Sequence, residues 1–183
     1  MNINKWHMCN FANIPTFKYC SSPIKAGLLE PIDSPEVCEC CGESTNVIYP
    51  GPFYSAKEIS ILCPKCIASG KAAELFSGEF VDFESINPDI EEEFKEELCL
   101  RTPSYNGIQQ ESWPDHCNDF CEFIAYVGWE EIKEMGIEDS VEFDSDSEEY
   151  ADCCEDIVNN SNCQGYLFRC LKCGQYILHV DCD

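Results

Sequence analysis

Sixteen cysteines in 183 residues, two Cys-x2-Cys-Gly turns, and extended and helical stretches set around those turns together predict an α+β fold. The expected structure is small and zinc-stabilised. Its N-terminal part resembles a treble clef or zinc ribbon, and a second zinc knuckle joins a helix to a C-terminal β-hairpin. Two units are expected, residues 1–86 (arm plus zinc module) and 87–183 (helical segment, acidic insert and knuckle hairpin), packed together as one body.

In residues 1–37, short apolar pieces such as Phe17-Lys18-Tyr19 and Ala26–Leu29 are separated by Pro15, Pro23, Pro31 and Pro35. That pattern suits an extended arm lying on the zinc module, and the spacings of His7, Cys9 and Cys20 match no ligand set. Cys38-x2-Cys41-Gly42 and Cys63-x2-Cys66 then supply four thiolates in two short turns, which meets the tetrahedral demand of zinc. Cys40 is the alternative ligand if the knuckle register shifts, and disulfides or inert buried thiols are the competing reading of the whole group. Between the pairs, Val47-Ile48-Tyr49 and Ile59–Leu62 flank Pro50-Gly51-Pro52 and predict a hairpin. Ile67, Ala68, Ala72, Leu75 and Phe76 fit one side of a helix that begins on the second pair.

Asn87-Pro88 provides a cap and a first-turn proline, and Ile90, Phe94 and Leu98 recur every four residues, predicting an amphipathic helix that ends before Pro103. A second helix is expected from about Asp115 to Gly128. Within it Cys117 and Cys121, four residues apart, would lie on one face. Trp129–Met135 fits one further short helix. Residues 130–156 carry 13 acidic side chains and one basic one, Lys133, and read as a mobile acidic loop. Asp144, Asp146 and Glu149 lack the glycine of a calcium-binding loop. In the last stretch, Cys170-x2-Cys173-Gly174 lies between Tyr166-Leu167-Phe168 and Tyr176-Ile177-Leu178, a strand, a knuckle and a strand. Its expected zinc partners are Cys117 and Cys121. His116 is the alternative for one of the four positions, with Cys153, Cys154 and Cys163 as further candidates. The predicted metal ligands are therefore Cys38, Cys41, Cys63 and Cys66 for one Zn2+, and Cys117, Cys121, Cys170 and Cys173 for another, both structural.

The net charge of −24 is unevenly spread, with 8 acidic and 6 basic side chains in residues 1–80 against 27 and 5 in residues 81–183. A field of that sign repels a phosphate backbone and favours a basic protein partner, so nucleic acid is not the expected ligand. No apolar run approaches the roughly 20 residues needed to span a bilayer, so no membrane role is expected. The opening MNINKWHMCNFANIP breaks its few apolar residues with Asn, Lys and His. That argues against a signal peptide, and for a reducing, cytoplasmic setting in which thiols hold metal. Sulfur-saturated zinc leaves no open position for water, so a non-catalytic protein is the main expectation. The alternative is a metal-dependent hydrolase using a site near His116 or His179, where His179-Val180-Asp181 offers a base beside an acid. A deaminase signature would need a His-x-Glu before a Pro-Cys-x2-Cys, and neither is present.

The stretches FKYCSSPIKAGLL, VCECCG, YPGPFYS, LCPKCIASGKAAELFSGEFVD, RTPSYNGIQQESW, HCNDFCEFIAYVGWEE and YLFRCLKCGQYILHVDCD cover nearly all of the chain outside the acidic stretch. Together they resemble the CbrC family, the uncharacterised bacterial family UPF0167, whose named member is associated with tolerance to a nuclease colicin. Cys20 and Ile108 depart from the family's usual His and Trp. The resemblance implies a cytoplasmic bacterial protein and supplies no enzyme reaction.

Overall fold

The first Cys-x2-Cys turn closes an antiparallel pair, β1 (Glu30–Val37) and β2 (Ser44–Ile48), in a computed structural model that describes residues 14–183. His7 and Cys9 thus lie outside the described residues. The β1–β2 register shifts between Pro31 and Glu36, in a strand whose Pro31 and Pro35 have no N–H to give the ladder. The hairpin expected between Val47 and Leu62 does not form. Val47 and Ile48 pair with β1 instead, and the Pro-Gly-Pro segment leads into a loop held by Tyr49 N–H to Leu62 O (3.2 Å) and by a bridge between Tyr54 and Glu79.

Two short helices follow, α1 (Pro64–Ala68) and α2 (Lys71–Phe76), so the single helix predicted here is broken at Ser69-Gly70. Helix α3 (Glu92–Arg101) carries Phe94 and Leu98 of the expected Ile90, Phe94, Leu98 pattern, with Ile90 just before it, and buries Leu98 and Cys99. It starts later than Asn87-Pro88 suggested, because the Asn87 side chain closes a local turn by accepting the Asp89 N–H at 3.0 Å.

The predicted helix over 115–128 is absent. Asp115 and Phe120 bridge across a tight turn in which Cys117 (φ 56°) and Asn118 (φ 59°) are both left-handed, and β3 (Glu122–Val127) follows. Helix α4 (Trp129–Met135) comes next, then the two-residue strand β4 (Glu142–Phe143) and a 3-10 helix over Glu148–Asp156. β5 (Cys163–Arg169) and β6 (Tyr176–Cys182) form the expected C-terminal hairpin. The sheet order is β3-β5-β6-β4, with β4 parallel to β6 and the other neighbours antiparallel.

Strand alternation sends β5 side chains to two cores. Tyr166 and Phe168 join a cluster with Tyr19, Tyr49, Phe80, Tyr105, Trp113 and Phe123, which draws on both halves of the chain. At its centre Tyr105 stacks on Phe123 with ring centroids 5.4 Å apart. Leu167 joins Val127, Ile132, Ile157, Leu178 and Val180 in the other cluster. The acidic stretch therefore does more than loop outward: Ile132 and Ile157 cover the second face of the sheet. Cys163 and Cys182 lie opposite one another at the sheet end as a disulfide, which removes Cys163 from the candidate metal ligands.

Candidate metal centres

Both Cys-x2-Cys-Gly turns fold by the same hydrogen-bond pattern. In the first, Cys38 N–H donates to Glu43 O (2.9 Å) and Gly42 N–H to Cys38 O (2.8 Å). In the second, Cys170 N–H donates to Gln175 O (2.8 Å) and Gly174 N–H to Cys170 O (3.0 Å). Each turn needs a left-handed residue to close, and Gly42 (φ 74°) and Gly174 (φ 80°) supply it. The result directs two sulfurs and several backbone N–H groups toward one point.

At the first centre the sulfurs of Cys38, Cys41, Cys63 and Cys66 lie within 4.8 Å of one another. Cys63 stands at the N-cap of α1 and Cys66 in its first turn, so the helix start faces the knuckle. The Cys63 N–H donates to Cys38 Sγ at 3.3 Å. Burial opposes ionisation of Cys38, but N–H groups of Cys41, Cys63 and Cys40 outweigh it and bring the thiol down to about 7. Burial, reinforced by the neighbouring sulfurs, pushes the Cys66 thiol up, and burial likewise raises Cys63. Four such sulfurs can all ionise only around a cation. The Cys41 and Cys63 sulfurs are 3.9 Å apart, close to the edge of about 3.8 Å expected of a tetrahedron with metal–sulfur bonds of about 2.3 Å. Cys40 is buried but is not part of the set.

The second centre contains His116, Cys117, Cys170 and Cys173. His116 Nδ1 is 3.3 Å from the sulfurs of both Cys117 and Cys173. The Lys172 N–H donates to Cys170 Sγ at 3.4 Å, and its ammonium group ties the facing turn by donating to Cys117 O (2.8 Å) and Asn118 O (3.3 Å). Burial again opposes ionisation of Cys170. The Cys173 N–H, the His116 side chain and the Lys172 N–H overcome it, lowering the thiol to about 6.

Cys121, expected in this set, is fully buried in the aromatic core and is not among the clustered ligands. Its backbone position explains why. The chain at 115–120 is a tight turn and not a helix, so residues four apart do not share a face, and Cys121 sits where β3 begins. His116 lies beside Cys117 at the turn and takes the fourth place. The adjacent His-Cys pair was the available sequence signal.

His179 is elsewhere, buried on β6. Its Nδ1–H donates to Asp144 Oδ2 (2.7 Å) and its Nε2–H to Asp181 Oδ1 (3.1 Å), while its ring stacks on Tyr166. Burial alone would lower its pKa, but the two carboxylates outweigh burial and raise it to about 9. Asp181 loses some stability as an anion through burial, yet its bond to His179 holds it below the usual aspartate range. The imidazolium thus clamps the acidic segment, through Asp144, to the sheet.

These features define a small α+β protein with two metal-ligand clusters, one of four cysteines and one of three cysteines and a histidine, each built on a knuckle. The profile of the uncharacterised protein family UPF0167 matches residues 14–182, and the chain belongs to that family. A UPF0167 protein of Pseudomonas aeruginosa is 34% identical over 177 residues, covering 93% of this chain and 97% of its own length. UPF0167 proteins of Mycobacterium bovis and Mycobacterium tuberculosis are each 34% identical over 181 residues, covering 92% of this chain and 93% of theirs. No solved structure matches significantly. Among the described residues, no helix is long and apolar enough to cross a membrane.

Two outcomes follow from this geometry. His116→Ala should remove one bound metal per chain, whereas Cys121→Ser should keep the full metal content while lowering stability, as read by elemental analysis beside a denaturation curve. Because the His179 pKa is raised on folding, its contribution is complete below about 6.5 and is lost as pH climbs through about 9. The stability of the native protein should therefore fall between pH 7 and 10 by an amount on the order of a few kcal/mol, as read from denaturation curves, and His179→Gln should flatten that part of the profile.

Proposed function

We propose that this is a non-catalytic zinc protein in which two structural Zn2+ ions fasten the fold and an acidic surface binds a basic protein partner. The observation that carries the zinc reading is the twin knuckle. Two turns of matching hydrogen bonding each contribute two sulfurs to a set of four ligand atoms lying within 4.8 Å of one another, and thiolate-rich sets with one imidazole or none suit zinc. The knuckle, the loop and a helix starting on Cys63 and Cys66 follow the order of a treble clef. Cys38, Cys41, Cys63 and Cys66 would hold one ion, and His116, Cys117, Cys170 and Cys173 the other. Four protein ligands in each set leave no place for an activated water.

The hydrolase alternative has less support. His116 Nδ1 faces the sulfurs, and both ring nitrogens of His179 are committed to carboxylates, leaving neither histidine free in the geometry described to act as a base. The partner reading rests on charge: 27 acidic and 5 basic side chains from residue 81 onward give a field suited to a cationic surface. The resemblance to the CbrC family adds a candidate setting, tolerance of a nuclease colicin in the cytoplasm, where an acidic protein would mask the toxin's basic nucleic-acid-binding face.

Protein purified under reducing conditions should contain two zinc ions per chain and unfold on exhaustive chelation. It should bind the nuclease domain of a colicin in titration calorimetry, with affinity falling steeply as salt rises. Zinc-free folded protein would refute the structural role. Absent or salt-insensitive binding would refute the masking role.

A further inference from the structure

The two centres differ sharply in access. Of the first set, Cys38, Cys63 and Cys66 are buried, with exposures of 1%, 6% and 4%. Of the second, Cys117 and Cys173 are both exposed and only Cys170 is buried. A small cleft of about 240 Å³ opens beside the second knuckle, lined by Glu122, Arg169, Cys170, Lys172, Cys173 and their neighbours. Cys173 is thus exposed and borders a cleft that two cationic residues, Arg169 and Lys172, also line. Cys117 approaches from the opposite turn, within 4.8 Å of it at the ligand atoms.

We propose that Cys173 and Cys117 form an oxidation site for small peroxides, with Cys173 the attacking thiolate and Cys117 the resolving one. The proposal rests on the zinc reading above, because the metal keeps both sulfurs as thiolates and together. The Cys173 sulfur attacks one oxygen of hydrogen peroxide, the O–O bond breaks, and hydroxide leaves with Cys173 as a sulfenic acid. The Cys117 thiolate then attacks that sulfur, forming the S–S bond and expelling a second hydroxide. Two thiolates lose two electrons, and one peroxide takes them up, giving two waters after protonation. Arg169 and Lys172, which line the same cleft, favour the step by stabilising the developing negative charge, and the cleft is large enough to admit a peroxide. With only His116 and Cys170 left, the zinc is released. The turn at residues 115–120 then loses its metal tie to the β5–β6 knuckle, although Lys172 still holds Cys117 O and Asn118 O. The first centre, shielded by burial, keeps its ion.

The test uses the reduced, zinc-loaded chain treated with limiting hydrogen peroxide. Released zinc is followed with a chromogenic chelator, and cysteines are mapped by alkylation and mass spectrometry. One zinc per chain should leave in a first phase roughly ten-fold or more faster than any second, together with a Cys117–Cys173 disulfide, and dithiothreitol with added zinc should reverse both changes. The double variant C153S/C154S, lacking the exposed cysteine Cys153 and its half-buried neighbour, should behave the same. Loss of both ions together, a disulfide other than Cys117–Cys173 and the Cys163–Cys182 bridge of the fold, release that disappears in C153S/C154S, or no release would each overturn the oxidation site while leaving a two-zinc protein intact. Finding no zinc before peroxide is added would overturn the zinc reading and this proposal with it.

Discussion

Four sulfur donors cannot share a half-buried pocket as anions without a cation among them, and this electrostatic constraint organises the molecule. At the first centre burial and mutual repulsion raise Cys63 and Cys66, while N–H groups from the knuckle lower Cys38. Cys38 is thus poised to ionise while Cys63 and Cys66 resist it, and all the sulfurs of the set can be thiolates together only around a cation. The two knuckles bring distant parts of the chain to common points. One joins β1 and β2 to the start of α1, and the other joins the turn before β3 to the β5–β6 hairpin. Between them lies the aromatic cluster around Tyr105, Trp113, Phe123 and Phe168, which draws on the N-terminal and C-terminal parts alike. The two candidate ligand clusters and the hydrophobic core thus gather the same parts of the chain.

Elements whose signal is local were readable in the sequence. The C-terminal strand-knuckle-strand, the short helix Trp129–Met135 and the first, all-cysteine set depend on residues close together or on a cysteine spacing with one good geometric solution. Where tertiary pairing decided, the reading failed. Val47-Ile48 lies as near in sequence to the Ile59–Leu62 run as to β1, and only the three-dimensional arrangement selects β1. Residues 120–127 carry both a four-residue apolar spacing and a density of β-branched and aromatic side chains, and pairing with β5 settles the choice in favour of a strand. That error moved Cys121 into a ligand role and left His116 as the lesser alternative. The left-handed pair Cys117-Asn118 carries no glycine, so the usual mark of such a turn was missing.

The acidic stretch illustrates how a segment poor in apolar residues can still be held. Ile132 and Ile157 reach the second face of the sheet, and Trp129 stacks with Phe143 at 6.3 Å. At β6 the buried His179 imidazolium sits between Asp144 and Asp181, so a charge that would be costly alone is matched on both sides. A histidine near two acids in sequence invited a catalytic interpretation, but its geometry is that of a clamp.

Zinc-edge X-ray absorption on the purified, reduced protein tests the central claim most directly, because it reports the identity and number of atoms bound to the metal. Seven sulfurs and one nitrogen shared between two zinc ions is the predicted average shell. Eight sulfurs would restore Cys121 to the second site, and oxygen ligands or the absence of zinc would contradict the account of two closed knuckle centres.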